Sequence, residues 1–151
     1  MTVKEYLRQY ERAEKIARRA KEEYDHEVLK IGSIKSPLNT DGLPHGTSIS
    51  RAVEEQAIRL TELAYRYKNA EIEALKKRQQ VFDTIWNVPG LKGDILYERY
   101  INLKKWEEVA DTVHVSLRHA TRLHGEALQD LNMSLNVHIF MSNMVVSKNS
   151  E

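Results

Sequence analysis

Residues 93–131 read GDILYERYINLKKWEEVADTVHVSLRHATRLHGEALQDL, and the spacing of apolar positions within this stretch decides the fold. Apolar residues three and four apart form one stripe along a helix. Here the stripe restarts twice, which predicts three helices at 95–101, 106–113 and 116 to about 131. Two helices that cross steeply over a turn of three or four residues need a small residue at the crossing and apolar residues beneath it. Ala110 suits the crossing, Val109 and Val113 face inward from the second helix, Val115 fills the turn, and Ala120 and Leu123 face inward from the third. Ser116 is placed to cap the third helix through its hydroxyl. His114 occupies a turn position where glycine is common, and positive φ in a side-chain-bearing residue costs roughly 1 kcal/mol or more.

With Ala120 and Leu123 inside, Leu117, Arg118, Thr121 and Arg122 point outward near the start of the third helix. In a helix-turn-helix this is the surface that meets base edges in the major groove of double-stranded DNA. Arg118 and Arg122 are the expected base readers. His119 and His124, together with Lys104 and Lys105 in the preceding loop, are expected to lie beside that face and position the phosphate backbone, and the capping Ser116 is counted with the DNA-binding residues.

Upstream, Val88-Pro89-Gly90 ends whatever helix precedes it, because proline restricts the residue before it and glycine frees the turn. Two long helices come before that break. From Thr2 to Ile31 the positions Val3, Tyr6, Leu7, Tyr10, Ala13, Ile16, Ala17, Ala20, Tyr24, Val28 and Ile31 follow helical spacing. From Ser48 or Ser50 to about Asn87, Val53, Ala57, Leu60, Leu63, Ala64, Tyr67, Ala70, Ala74, Leu75, Phe82, Ile85 and Trp86 do the same. The segment 32–48, with its Gly32, Pro37, Gly42, Pro44 and Gly46, reads as a loop.

The expected fold is therefore all-α: a long N-terminal antiparallel helical hairpin over 1–88, a three-helix helix-turn-helix unit over 89–131, and a tail over 132–151. Leu135, Val137 and Ile139 in that tail alternate as in a strand, while Phe140, Met141, Met144 and Val145 could continue a helix. Each hairpin stripe is longer than one partner helix covers, which points to a homodimer, with packing against the C-terminal helices as the alternative.

Composition narrows the function classes. The chain has no cysteine, which excludes disulfides and thiolate metal sites. No apolar run reaches transmembrane length and no signal-peptide pattern is visible, so no membrane partner is expected and a cytoplasmic setting is. His114, His119 and His124 are five apart and share no helix face, so no metal or other cofactor is expected. No nucleophile–base pair or phosphate-cradling glycine loop is present, and the chain does not read as an enzyme. Trp86 and Trp106 are expected as core anchors. Residues 93–131 carry five Lys and Arg against seven Asp and Glu, which opposes DNA binding unless the acids lie away from the third helix.

The runs Leu96-Tyr97-Glu98-Arg99-Tyr100, Trp106-Glu107-Glu108-Val109-Ala110, Ser116 to Arg122 and Leu123-His124-Gly125-Glu126-Ala127-Leu128 resemble the helix-turn-helix of sigma-70 region 4. More closely, they are similar to RinA/ArpU-like late transcriptional regulators of phages of Gram-positive bacteria. The resemblance covers 93–131. It implies a DNA-binding transcription regulator, an activator of phage late genes acting in the bacterial host cell with host RNA polymerase as a further partner. Lys105 departs from the pattern where a Ser or Thr cap is common, although Glu107 and Glu108 suit the positive end of a helix. The competing readings are a small terminase-type DNA-packaging protein and a module that binds RNA polymerase without reading DNA.

Overall fold

Thr2 starts the first helix with a reciprocal cap: its Oγ1 accepts from the Glu5 N–H at 3.2 Å, and the Glu5 carboxylate accepts from the Thr2 N–H at 2.7 Å. A computed structural model describes residues 2–33 and 48–148. Among these the secondary structure is entirely helical: α1 Val3–Leu7, α2 Gln9–Ser33, α3 Ser48–Trp86, α4 Gly90–Tyr100, α5 Trp106–Thr112 and α6 Leu117–Lys148. No described helix is long and apolar enough to cross a membrane.

Two boundaries differ from the sequence reading. The single helix expected from Thr2 to Ile31 is interrupted at Arg8, whose ψ of −3° tightens the turn there while its N–H still bonds the Lys4 carbonyl. At the other end, α6 runs through residue 132 to Lys148, so helix rather than strand accounts for that part of the tail. Most of the loop expected over 32–48, its residues 34–47, lies outside the described residues, as do residues 149–151.

Contacts divide the chain into two units, 12–75 and 1–11 with 76–151. This is not the division expected at residue 88, and the core explains why. Leu7 of α1 and Val81 and Ile85 of α3 are buried together with Leu96, Tyr100 and Ile101 around α4 and with Ala127 and Leu131 of α6. The first turns of the chain and the last turns of α3 thus belong with the C-terminal helices. A second cluster in the same unit joins Ile95, Val109, Ala110 and Ala120.

Within residues 12–75, α2 and α3 run side by side in opposite directions. Tyr24 stacks on Tyr67 with centroids 6.2 Å apart, Glu23 pairs with Arg66 at 3.5 Å, and Glu27 pairs with Arg59 at 3.6 Å, so the partner number falls as the α2 number rises between Tyr24 and Glu27. Ala17, Ala20 and Ala74 are buried here. Ile16, Leu29, Val53, Ile58, Tyr65 and Leu75 remain exposed, because two helices present more apolar surface than they can cover in each other.

The break between α3 and α4 is built on two glycines. Gly90 sits at φ 66°, a left-handed conformation that glycine adopts without steric cost. Gly93 lies one turn into α4, where a β-carbon would collide with the Val88 carbonyl oxygen. Backbone cannot swing aside as a flexible side chain can, so Gly93→Ala is expected to lower stability by roughly 2 kcal/mol or more, read from denaturant unfolding midpoints.

Candidate functional site

The end of α5 and the start of α6 are joined by Val113, His114, Val115 and Ser116. The Val115 N–H donates to the Ala110 carbonyl at 3.0 Å and the His114 N–H to the Asp111 carbonyl at 3.3 Å. This is a Schellman closure, and it requires a left-handed residue at the position after the cap. His114 takes that conformation with φ 56° despite its side chain. Val115 then turns back onto the apolar cluster, and Val109, Ala110, Val113, Val115, Ala120 and Leu123 all join it, with Ile95 of α4 and Trp106 beside them.

Ser116 precedes α6 and its Oγ accepts from the His119 N–H at 3.3 Å, as a helix cap should. Lys105 stands extended before α5 and has no oxygen with which to cap it. Glu108 compensates from inside the helix by accepting from the Lys105 N–H at 2.9 Å.

Of the candidate residues, Lys105, Ser116, Leu117, Arg118, His119, Thr121 and Arg122 are exposed. The α6 residues among them surround the surface opposite Ala120, Ala127 and Leu131. The Arg118 side chain has no ion-pair or hydrogen-bond partner among the described residues. Arg122 is held at both flanks, 3.2 Å from the Glu126 carboxylate and 3.3 Å from His119 Nε2.

Two candidates are placed otherwise. His124 is only 7% exposed and belongs to the interior: its Nε2 lies 2.9 Å from the Tyr100 hydroxyl, and its ring meets Trp106 edge-on. It follows Ala120 by four residues and so shares Ala120's inward face, a signal present in the sequence. Lys104 is largely committed inside the chain, with its ammonium 2.8 Å from Glu98 and 3.0 Å from Thr112 Oγ1. Trp86, expected in the core, is 75% exposed and packs its ring against Phe82, whereas Trp106 does pack on the core and carries Arg99 over its ring.

Residues that spacing did not single out control the local charge. Burial pushes the Glu98 carboxyl up, but hydrogen bonds from Asn102 and Lys104, with the Lys104 charge, outweigh it and hold Glu98 below the usual range. Lys92 reaches from α4 to Asp130 at 2.8 Å and Glu126 at 3.5 Å, and the Asp130 hydrogen bond leads in keeping its ammonium protonated to higher pH. Three of the acids that made this segment net negative are therefore paired with cations of the same segment or its border. No family model matches the chain, and no curated protein or solved structure is significantly similar to it.

Burial pushes His124 down to about 4 from its ordinary 6.5, helped by the nearby positive charges of Lys4, Arg99 and Arg8. Between those values the unfolded chain binds the extra proton and the folded one does not. Stability should therefore fall as pH drops from about 6.5 towards 4, by up to about 3 kcal/mol, with no further loss from this residue below that. Unfolding midpoints measured across this range should show the slope, and His124→Gln, which has nothing to titrate there, should lack that part of it.

Proposed function

We propose that this chain is a sequence-specific DNA-binding transcription regulator, an activator of phage late genes, that reads the major groove with the N-terminal turns of α6. The observation that carries the reading is the joint placement of Ala110 and Ala120 in one apolar cluster with Arg118 and Arg122 exposed on the far side of α6. This is the arrangement that a helix-turn-helix needs: a close crossing beneath and donors able to make bidentate contacts to guanine above. The resemblance of residues 93–131 to sigma-70 region 4 and to RinA/ArpU-like regulators supports the same reading.

Charge is consistent with it locally. From Leu117 to His124, α6 carries two arginines and no acid, and Glu126 beyond them is paired with Arg122 and Lys92. Few phosphate-facing cations remain once Lys104 is committed to Glu98, so each subunit binds weakly and salt-sensitively, and affinity comes from pairing two subunits or from host RNA polymerase. A second reading, a module that contacts RNA polymerase without reading DNA, is favoured by exposed Trp86 beside Phe82 and Tyr97. Footprinting with purified protein alone separates the two.

Arg118→Ala and Arg122→Ala are each expected to cost about 1 to 3 kcal/mol of specific binding and to relax one base position, with helix content and thermal stability near wild type. The measurement is equilibrium binding to sequences selected from random duplex DNA. Full affinity in the folded double variant would remove α6 as the reader.

The chain further acts as a homodimer joined through its first two long helices, a proposal supported by the exposed apolar residues of 12–75. Sedimentation should show mass rising with concentration towards twice the chain mass, and two related half-sites about one helical turn, or a multiple of it, apart should appear in the selected DNA. A monomer mass at every concentration would overturn the dimer.

A further inference from the structure

The exposed face at the start of α6 has two columns of different chemistry. Arg118 and Arg122 form one. Leu117 and Thr121, each one residue earlier, form the other, and residues four apart on a helix are neighbours. Leu117 is 44% exposed and does not belong to the apolar cluster beneath it, which Ala120 and Leu123 serve from the same helix. Thr121 is exposed too, yet its hydroxyl is occupied by its own helix: Oγ1 lies 3.0 Å from the Leu117 carbonyl oxygen and 3.0 Å from that of Arg118. The hydroxyl proton is committed to the backbone, and the remaining group on Cβ is a methyl. The second column thus has no proton left to donate, and what it offers is the Leu117 side chain and the Thr121 methyl beside the acceptor lone pairs of the Thr121 oxygen.

Only one base carries an apolar group into the major groove, thymine with its C5-methyl, and the match for a guanidinium there is guanine O6 and N7. We propose that Leu117 and Thr121 recognise thymine methyl groups beside the guanines read by Arg118 and Arg122, so that the target of this surface is a mixed guanine and thymine sequence. The inference rests on the DNA-binding reading above and specifies its ligand. Side chains four apart are separated by about 6 Å along the helix axis. Base pairs repeat every 3.4 Å or so. A helix lying along the groove therefore brings Leu117 and Thr121 to thymines about two base-pair steps apart.

The test begins with duplex sequences selected from a random pool by the intact protein. Each thymine of the selected site is then replaced singly by deoxyuridine, which removes the C5-methyl and leaves base pairing unchanged. At the contacted thymines, affinity should fall about fourfold, the effect of losing one buried methyl-sized group. Leu117→Ala should bring the thymine-to-uracil ratio to one at one of these positions. Thr121→Ser, which keeps the hydroxyl and loses the methyl, should do so at the other, whereas Thr121→Val, which keeps a methyl, should retain the ratio. Circular dichroism and thermal unfolding of each variant confirm that it is folded. Selected sites that bind equally well with deoxyuridine at every thymine, or that contain no thymine beside guanine, overturn this inference and leave the DNA-binding reading standing. Failure of the intact protein to enrich any sequence overturns that reading and this inference with it.

Discussion

The rotation of α6 about its own axis is set by the burial of His124 against Tyr100. A helix offers one side chain roughly every 100°, so fixing one inward residue fixes the direction of all the others. Ala120, His124, Ala127 and Leu131 share the inward side, and the 2.9 Å contact between the His124 ring nitrogen and the Tyr100 hydroxyl satisfies the one strongly polar group among them. A buried imidazole without a partner would favour turning the helix to release it. With the partner supplied by α4, the helix stays where Ala120 can meet Ala110, and Leu117, Arg118, Thr121 and Arg122 are left on the surface. The same burial makes the ring hard to protonate, which links the placement of the exposed α6 face to pH.

Electrostatics around α6 is arranged by pairing rather than by net charge. Glu98, Glu126 and Asp130 each face a lysine, and Glu108 is turned onto the backbone ahead of α5. Pairs at or near the surface add little stability, but they decide which charges remain available. Among the described residues Arg118 emerges with no ion-pair partner, while Arg122 is shared with Glu126 and His119. Lys104 is withdrawn from the set of free cations by Glu98 and Thr112. A count of acids and bases over the segment weighs all of these alike and so misjudges the surface.

The two units manage their apolar surface differently. In the one containing α4, α5 and the start of α6, several short helices surround each large side chain, and Leu7, Ile95, Leu96, Val81 and Val109 are almost completely buried. In residues 12–75 only two helices meet. Three of their alanines, Ala17, Ala20 and Ala74, are covered, while Ala57, Ile16, Val53 and Leu75 face outward. Apolar side chains exposed in that number on a two-helix unit are the physical ground for expecting a second chain there.

Helical periodicity determined the all-helical class and the six residues that gather under the α5–α6 connection, and the backbone chemistry of proline and glycine determined the break at Val88-Pro89-Gly90. Side chains at i, i+3 and i+4 share a face whatever the helix later packs against, so this information is local. The left-handed turn at His114 was legible as well, because the turn geometry demands that conformation from whichever residue stands there. Tertiary structure alone decided that Leu7 and Val81 complete the core of the C-terminal unit, that Lys104 spends its charge on Glu98, that Trp86 stays outside, and that Tyr100 takes His124 as its partner. Each of these joins positions on different elements or weighs one possible partner against another, and a pattern read along the chain does not contain the distances on which that choice depends.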